Sequence, residues 1–288
     1  MLLNASGCLD ALTAPETVAQ LDGFVTKTVT PEPRPGNDPP RIAETDFGML
    51  NSIGLANPGR EAFLADYLPR LRELGLPLWV SVGGFSADDY ADTCSCLEGI
   101  AAIELNLSCP NVDEAPESAA EIVAACRAAT DLPLYAKLSP SAWDVAEVAR
   151  AVEAAGADGL SLVNTARGLA LDERTLRPRL SRGAGGYSGP ALKPIALAAV
   201  HACFRATSLP IVGMGGVRSG LDALELIACG ASAVALGTVL FADPDAPSRI
   251  RSELAEAAAA RGFSTPAEAR GLAHPGVASS EYTARHPA

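Results

Sequence analysis

The segment Ile103-Glu104-Leu105-Asn106-Leu107-Ser108-Cys109-Pro110-Asn111 combines a strand pattern with a cluster of polar and reactive groups. Apolar residues at 103, 105 and 107 alternate with polar residues at 104, 106 and 108, which is the period of a β-strand. Pro110 lacks a backbone N–H and ends that strand. A thiol and two amides therefore lie at, or just beyond, the end of a strand. A structural cysteine in a turn is the common alternative for Cys109, because free cysteines are often buried as small apolar residues.

Eight short apolar runs recur along the chain, with helix-compatible segments between them. Several are rich in Val, Ile and Leu and almost continuously apolar, as in strands that are buried on both faces of a parallel sheet. Eight strand–helix repeats in 288 residues predict a TIM (β/α)8 barrel, with residues 1–288 forming a single domain. The runs are 2–6, 24–30, 78–83, 102–108, 134–139, 159–165, 210–216 and 233–239.

The segment 141–152 illustrates the predicted helices. Ser141 is the predicted N-cap, and the apolar residues at 145, 148, 149 and 152 share one helix face. Gly156 then ends the helix before the next strand begins.

Composition excludes several classes of protein. The chain has 22 Lys and Arg against 34 Asp and Glu, a formal net charge of −12, which argues against a nucleic-acid groove or an anionic membrane surface as partner. No window approaches the roughly 18–20 apolar residues of a membrane span, and the N-terminus lacks the basic region of a signal peptide. The 7 cysteines lack paired CxxC spacing, so neither a disulfide framework nor a metal site is indicated. We therefore expect a cytoplasmic protein with reduced thiols and no metal.

Polar residues and glycines occupy the carboxyl ends of the predicted strands, where this fold builds its active sites. Lys27 and Lys137 stand at two of these ends. Two cations at one barrel mouth need an anion, which indicates a bound phosphate, flavin or carboxylate. The other strand-end residues are Ser6, Ser81, Asn106 with Cys109, Asn164 with Thr165, Gly215 with Gly216, and Gly237 with Thr238.

Two long insertions, about 31–59 and 166–189, interrupt the regular spacing and are predicted to lie over the barrel mouth. Long ordered insertions in a compact domain are usually functional. In the first insertion, backbone amides around Gly54 and the side chain of Asn51 form a candidate carboxylate cradle.

The second insertion ends in a glycine-rich turn at 183–190. Glycines allow backbone to approach a ligand closely, and a helix that begins near Pro190 would offer N–H groups to a phosphate. Together with the glycines of 213–216 and of 237–238, this turn matches the phosphate site that barrels form after strands seven and eight.

Over nearly its whole length the chain resembles the dihydroorotate dehydrogenases, flavin enzymes of pyrimidine biosynthesis. A cysteine after the fourth strand is similar to the soluble class of the family. The Asn164-Thr165 pair and the Gly-Met-Gly-Gly turn resemble the type that passes electrons to NAD through a partner subunit. The motifs that carry the resemblance are Asn4-Ala5-Ser6-Gly7, Thr26-Lys27-Thr28, Gly48-Met49-Leu50-Asn51-Ser52-Ile53-Gly54-Leu55, Asn106-Leu107-Ser108-Cys109-Pro110-Asn111, Lys137-Leu138-Ser139-Pro140, Asn164-Thr165, Ser188-Gly189-Pro190, Gly213-Met214-Gly215-Gly216 and Gly237-Thr238.

The resemblance implies FMN-dependent oxidation of dihydroorotate to orotate. Cys109 would be the base that takes a proton from C5 of dihydroorotate, while hydride leaves C6 for N5 of the flavin. A free thiol has a pKa of about 8.5, so nearby lysine charge or a higher working pH would supply the thiolate. The residues implied for FMN are Ser6, Lys27, Thr28, Ser81, Asn106, Lys137 and Val163, with Gly189, Gly215, Gly216, Gly237 and Thr238 around its phosphate. The residues implied for dihydroorotate are Lys27, Asn51, Ser52, Ile53, Gly54, Leu55, Asn106, Asn164 and Thr165.

The resemblance further implies a homodimer, with an FAD and iron–sulfur subunit as electron-transfer partner. The chain itself has no Rossmann fingerprint for NAD, and Cys94 and Cys96 are its only close cysteine pair, too few ligands for an iron–sulfur cluster. The sequence departs from the family at Ser81, where the NAD-linked relatives often have asparagine. It also departs in the loop after Asn111, which is shorter than the family's.

Two alternative functions remain at this point. A dihydropyrimidine dehydrogenase-like flavoenzyme shares the fold, the FMN and a cysteine acid–base group, but uracil and thymine need no carboxylate cradle, and the loop at 51–55 favours dihydroorotate. The alternative from another class is a non-catalytic barrel, with the glycines as turns and Cys109 as a core residue. Absence of flavin absorbance after reconstitution with FMN would favour the second alternative.

Overall fold

The computed structural model describes residues 1–107 and 116–275. Its central feature is an eight-stranded parallel sheet in the order β1-β12-β11-β8-β7-β6-β5-β2, which confirms the TIM barrel predicted from the apolar runs. The strands of this sheet are β1 Leu2–Asn4, β2 Phe24–Val25, β5 Leu78–Val82, β6 Ala102–Asn106, β7 Leu134–Leu138, β8 Gly159–Leu162, β11 Ile211–Met214 and β12 Ala233–Leu236.

Helices follow the strands and cover the outside of the barrel. Strand residues that face outward, such as Ile103 and Leu105, join one large apolar core with the helices. No helix within the described ranges is long and apolar enough to cross a membrane. The helices are α1 Pro15–Val18, α2 Arg60–Ala62, a π-helical turn Phe63–Tyr67, α3 Leu68–Arg72, α4 Ala87–Ser95, α5 Pro116–Ala129, α6 Val145–Ala154, α7 Lys193–Ala206, α8 Gly220–Ala228, α9 Val239–Ala242 and α10 Ala246–Ala259, with 3-10 turns at Pro190–Leu192 and Pro266–Ala269.

The N-terminus of α6 differs from the sequence prediction, which placed the cap at Ser141. The helix begins at Val145, and Asp144 is its N-cap, with one carboxylate oxygen accepting from Ala146 N at 2.9 Å and from Glu147 N at 3.1 Å. Ser141 is instead held in the preceding turn, where its N–H donates to the hydroxyl of Ser139. Both residue types cap helices well, so the sequence pattern did not decide between them.

Inward-facing residues fill the barrel with a second, smaller apolar cluster. Its lower part contains Trp79 and Tyr135, whose ring centroids lie 4.3 Å apart. Gly159 makes room for this pair, since a Cβ at that position would lie 2.2 Å from the ring of Tyr135. The barrel is therefore packed at its base, and the cavity described below opens at its upper, carboxyl end.

The barrel closes between β1 and β2 mainly through hydrogen bonds of the Asn4 and Asp22 side chains. Asn4 is fully buried, donates through Nδ2 to Val25 O at 2.7 Å, and accepts from Val25 N at 2.8 Å. Below it, Leu2 N–H donates to the carboxylate of Asp22 at 2.7 Å, and Asp22 N–H donates back to Leu2 O at 2.9 Å. Burial works to raise the pKa of Asp22, but hydrogen bonds from Arg251 and from Leu2 N–H hold it below its ordinary value.

The two insertions meet in a four-stranded antiparallel sheet in the order β3-β4-β10-β9. The first insertion supplies β3 Ile42–Thr45 and β4 Gly48–Asn51, and the second supplies β9 Ala166–Gly168 and β10 Gly185–Ser188. Leu50 of β4 pairs with Tyr187 of β10 and packs in a small core with Ala43 and Leu180. We call this sheet the canopy, because residues of its strands line the cavity at the barrel mouth.

We expect Asn4→Ala to destabilise the protein strongly. The substitution leaves the N–H and the carbonyl of Val25 buried without their partners, at about 1–3 kcal/mol each, so the free energy of unfolding should fall by about 2–6 kcal/mol. Urea denaturation measures this, with Ser252→Ala on the exposed face of α10 as the control. A change no larger than that of the control would contradict the role given to Asn4 in closing the barrel.

Candidate active site

A cavity of ≈ 1560 Å³ opens at the carboxyl ends of the barrel strands, beneath the canopy. Ligand pockets are usually about 300–1,000 Å³, so this cavity has room for two ligands side by side. The residues predicted from the sequence that line it are Ser6, Lys27, Thr28, Asn51, Ser52, Ile53, Gly54, Leu55, Asn106, Lys137, Val163, Asn164, Thr165, Gly189, Gly215, Gly216, Gly237 and Thr238.

One predicted site residue does not line the cavity, and one lies outside the described residues. Ser81 is fully buried behind the cavity wall, and its hydroxyl lies 3.0 Å from that of Thr28. Cys109, the predicted base, lies outside the described residues, between 107 and 116.

The cavity is lined by basic side chains in a chain whose formal net charge is −12. In the described part of the chain, no aspartate or glutamate lines it. A cleft with charges of one sign concentrates ligands of the opposite sign and speeds their association. The cavity is therefore suited to anions. The basic residues are Lys27, Arg34, Lys137, Arg167, Arg182, Arg218 and Arg249.

A buried ion pair sits at the floor of the cavity. Lys137 on β7 is 4% exposed and Glu104 on β6 is 1% exposed, and Lys137 Nζ lies 3.2 Å from the Glu104 carboxylate. The same ammonium donates to the hydroxyl of Ser6 at 2.9 Å. Burying a charged group costs solvation free energy, and an opposite charge at this distance offsets part of that cost. Glu104 thereby allows a buried cation to stand in the barrel wall.

A chain of hydrogen bonds links the polar ends of four strands. The Ser81 hydroxyl contacts Thr28 Oγ, which accepts from Asn106 Nδ2 at 3.2 Å. Asn106 Oδ1 accepts from Asn164 Nδ2 at 3.1 Å, and the main-chain carbonyl of Asn106 accepts from Tyr90 at 2.6 Å. These bonds fix the orientation of the two amides that face the cavity.

The opposite end of the cavity is built from backbone. Gly216 has φ 76° and passes so close to the start of α7 that a Cβ would lie 2.6 Å from Lys193 N. At Gly237 a Cβ would meet only Ala5 and Cys8, at 3.6 Å and 3.7 Å, so this glycine leaves space open towards the cavity. Thr238 donates to Ser188 at 2.9 Å and ties β12 to the canopy. Free backbone beside a helix N-terminus is suited to a phosphate.

The loop at 52–55 borders the cavity on the canopy side. Gly54 has φ 74° and Leu55 has φ 56°, a conformation that is rare for leucine. Within the described residues, the N–H groups of Ile53, Gly54 and Leu55 have no hydrogen-bond acceptor. Three N–H groups without acceptors beside a cavity are suited to binding a carboxylate.

Several residues of this site were missed by the sequence reasoning. The strand pattern could have identified Glu104 as a site residue, because it stands two residues before Asn106 and therefore faces the same side of its strand. Cys8 lines the cavity near both lysines, and burial raises the pKa of its thiol although Lys137 and Lys27 act to lower it. No sequence pattern around Arg34 indicated that it lines the cavity.

Comparison with known proteins places these features in context. The sequence profile described as "Dihydroorotate dehydrogenase" matches residues 1–257. The chain is 42% identical over 277 residues to the dihydroorotate dehydrogenase B (NAD(+)) catalytic subunit of Listeria monocytogenes, covering 92% of this chain and 91% of the relative. It is 45% identical over 254 residues to the protein of the same name from Trichlorobacter lovleyi, covering 85% and 84% of the two chains.

The fold is also similar to a solved structure. A crystal structure of DHODH from Eimeria tenella in complex with ferulenol superposes with a TM-score of 0.78, at 24% identity, covering 95% of this chain and 85% of that one. At this identity the likeness concerns the fold.

We expect the contributions of Lys137 and Glu104 to the free energy of unfolding to be strongly coupled. Glu104→Leu or Lys137→Met alone leaves one buried charge without its partner and should lower the free energy of unfolding by about 3–5 kcal/mol. The double variant removes both charges and should recover most of that loss. Urea denaturation of the three variants and the parent protein gives the coupling energy, and additive losses in the double variant would show that the two side chains do not depend on each other.

Proposed function

The chain belongs to the family of dihydroorotate dehydrogenases, oxidoreductases that act on a carbon–carbon single bond, and we propose that it oxidises dihydroorotate to orotate with bound FMN. The main support for the proposal is that one cavity contains two candidate anion sites. A backbone site suited to a phosphate lies at Gly216 and Gly237, and a loop with three N–H groups suited to a carboxylate lies at 53–55. FMN carries the first anion and dihydroorotate the second.

The residues around the cavity fit FMN. Its phosphate would lie against Gly189, Gly215, Gly216, Gly237 and Thr238, where a Cβ at Gly237 would intrude on the open space. Lys137 would place its charge against the ring system, since it is held in the cavity floor by Glu104 and Ser6. FMN, when bound, would supply the hydride acceptor for the reaction.

The residues of the opposite wall fit dihydroorotate. Its carboxylate would accept from the N–H groups of the loop at 53–55, with Lys27 adding positive charge. The side chain of Lys27 crosses directly over Gly7, where a Cβ would lie 2.9 Å from its Cδ. Asn106 and Asn164 are joined at 3.1 Å and would bind the polar edge of the substrate ring. These contacts would fix the ring, so that C5 and C6 would keep a constant orientation.

Proton transfer is assigned to Cys109 by the resemblance of its motif to that of the soluble class. As a thiolate, Cys109 would take the proton from C5 while the hydride leaves C6, so the substrate loses one proton and one hydride. Positive charge near the thiol would favour the thiolate. The rate should therefore rise with pH as the thiol ionises.

We further propose that electrons leave through a partner subunit with FAD and an iron–sulfur cluster. The support is the name of the relatives, catalytic subunits of an NAD(+)-linked enzyme, at 42% and 45% identity. The sequence of the chain lacks a nicotinamide-binding fingerprint of its own.

Substitution of Cys109 tests the proposed base. Cys109→Ala should leave FMN bound but lower the rate of dihydroorotate oxidation by about 10²–10⁴, the usual cost of losing a general base. Cys109→Ser should keep a little activity that rises with pH. Cys96→Ala, at an exposed thiol on the outside of the barrel, is the matched control and should behave like the parent protein. Oxidation by Cys109→Ala at the parental rate would rule out the assigned role.

The electron acceptors that the isolated chain can reduce test the proposal of a partner subunit. The FMN-loaded chain alone should reduce artificial dyes with dihydroorotate but reduce NAD poorly, and it should gain NAD reduction when the FAD and iron–sulfur subunit from the same organism is added. Rapid reduction of fumarate by the isolated chain would contradict this proposal in favour of a self-sufficient homodimer.

A further inference from the structure

We propose that Asn37, in the first insertion, is a positioning residue for the substrate carboxylate; this inference rests on the proposed function. Asn37 stands 15 residues before Ser52 in the chain and lines the same cavity. Its Nδ2 donates to Ser52 O at 3.0 Å and to Ser52 Oγ at 2.9 Å, and its backbone N–H donates to Ile53 O at 3.0 Å. One residue thus holds two successive carbonyls of the loop at 52–55.

The remaining carbonyls of this loop are held in the same way. Arg34 Nε donates to Gly54 O at 3.2 Å, and Asn57 Nδ2 donates to Leu55 O at 2.7 Å. All four carbonyls therefore accept from donors in the first insertion.

The direction of the carbonyls fixes the direction of the N–H groups. In a planar trans peptide, the C=O of one residue and the N–H of the next point to opposite sides. Because the carbonyls of residues 52, 53 and 54 point towards Asn37 and Arg34, the N–H groups of Ile53, Gly54 and Leu55 point the other way. Among the described residues these three N–H groups have no acceptor, so the arrangement leaves them available to an anion.

The loop depends on this support because its backbone is strained. Leu55 has φ 56°, and residues other than glycine keep such a conformation only where their surroundings enforce it. At Gly54 a Cβ would lie 2.6 Å from Asn37 Oδ1 and 2.7 Å from Asn37 N, so the two segments are in direct contact. Asn37 and the loop therefore form one rigid unit.

An asparagine is the residue type that this position requires. Its amide nitrogen carries two N–H donors, one for the carbonyl and one for the hydroxyl of Ser52. Its Oδ1 faces Arg182 Nε of the second insertion at 3.4 Å. An aspartate of the same shape would lack both donors and would bring a negative charge next to the carboxylate site.

The test compares Asn37→Ala, Asn37→Asp and a control in the FMN-loaded protein. Asn37→Ala should raise the Kd of orotate and the KM of dihydroorotate about tenfold, which is about 1.4 kcal/mol, with kcat within about twofold of the parent. Asn37→Asp, which is isosteric, should raise the Kd of orotate and the KM of dihydroorotate further. Isothermal titration with orotate and steady-state kinetics give these values.

The control is Ser181→Ala. Its hydroxyl donates to Asp38 O and joins the same two insertions without contacting the loop, so orotate affinity should stay at the parental value. The affinity for FMN and the unfolding midpoint should be unchanged in Asn37→Ala.

Two results would overturn the inference. One is parental orotate affinity in Asn37→Ala. The other is a loss of orotate affinity matched by equal losses in FMN affinity and in the unfolding midpoint, which would show a merely structural role. Failure of the parent protein itself to bind orotate would instead reject the proposed function.

Discussion

The ion pair between Lys137 and Glu104 is the interaction on which the barrel mouth depends, because it places a buried cation at the floor of the cavity. Both side chains are almost fully buried, and the ammonium also contacts Ser6 at the end of β1. Three strands are thereby joined at the level where the packed interior gives way to the cavity. Below this level the barrel is filled by apolar and aromatic side chains. Above it, backbone amides and basic side chains face the open space.

The cavity wall above this floor is made rigid largely by hydrogen bonds to backbone. The carbonyls of the loop at 52–55 accept from the first insertion, and the canopy joins that insertion to the second through the pairing of β4 with β10. At the other end, Gly216 packs against the start of α7. Separate parts of the chain thus carry the two candidate anion sites, and the proposed reaction would use both at once.

Much of this structure could be predicted from the sequence, because strand period and strand ends are local patterns. All eight barrel strands followed from them, and so did several of the strand-end residues that line the cavity, such as Lys27, Asn106 and Lys137. The strands of the canopy did not, since short glycine-rich segments such as Gly185–Ser188 carry no clear alternation. Asn37 was missed for another reason: its role depends on backbone carbonyls 15 residues away, and no side-chain pattern records where carbonyls point. Ser81 was predicted to contact FMN, and the structure places it in the barrel wall, fully buried and beside Thr28.

We propose that this cavity brings a flavin and a carboxylate-bearing dihydropyrimidine together for hydride transfer. Anaerobic mixing of the FMN-loaded chain with one equivalent of dihydroorotate tests it most directly, with flavin absorbance and orotate formation followed together. The account predicts loss of the oxidised flavin spectrum with an equal amount of orotate formed, and little change with dihydrouracil, which lacks the carboxylate. A flavin that stays oxidised with dihydroorotate, or that is bleached equally fast by dihydrouracil, would contradict the account.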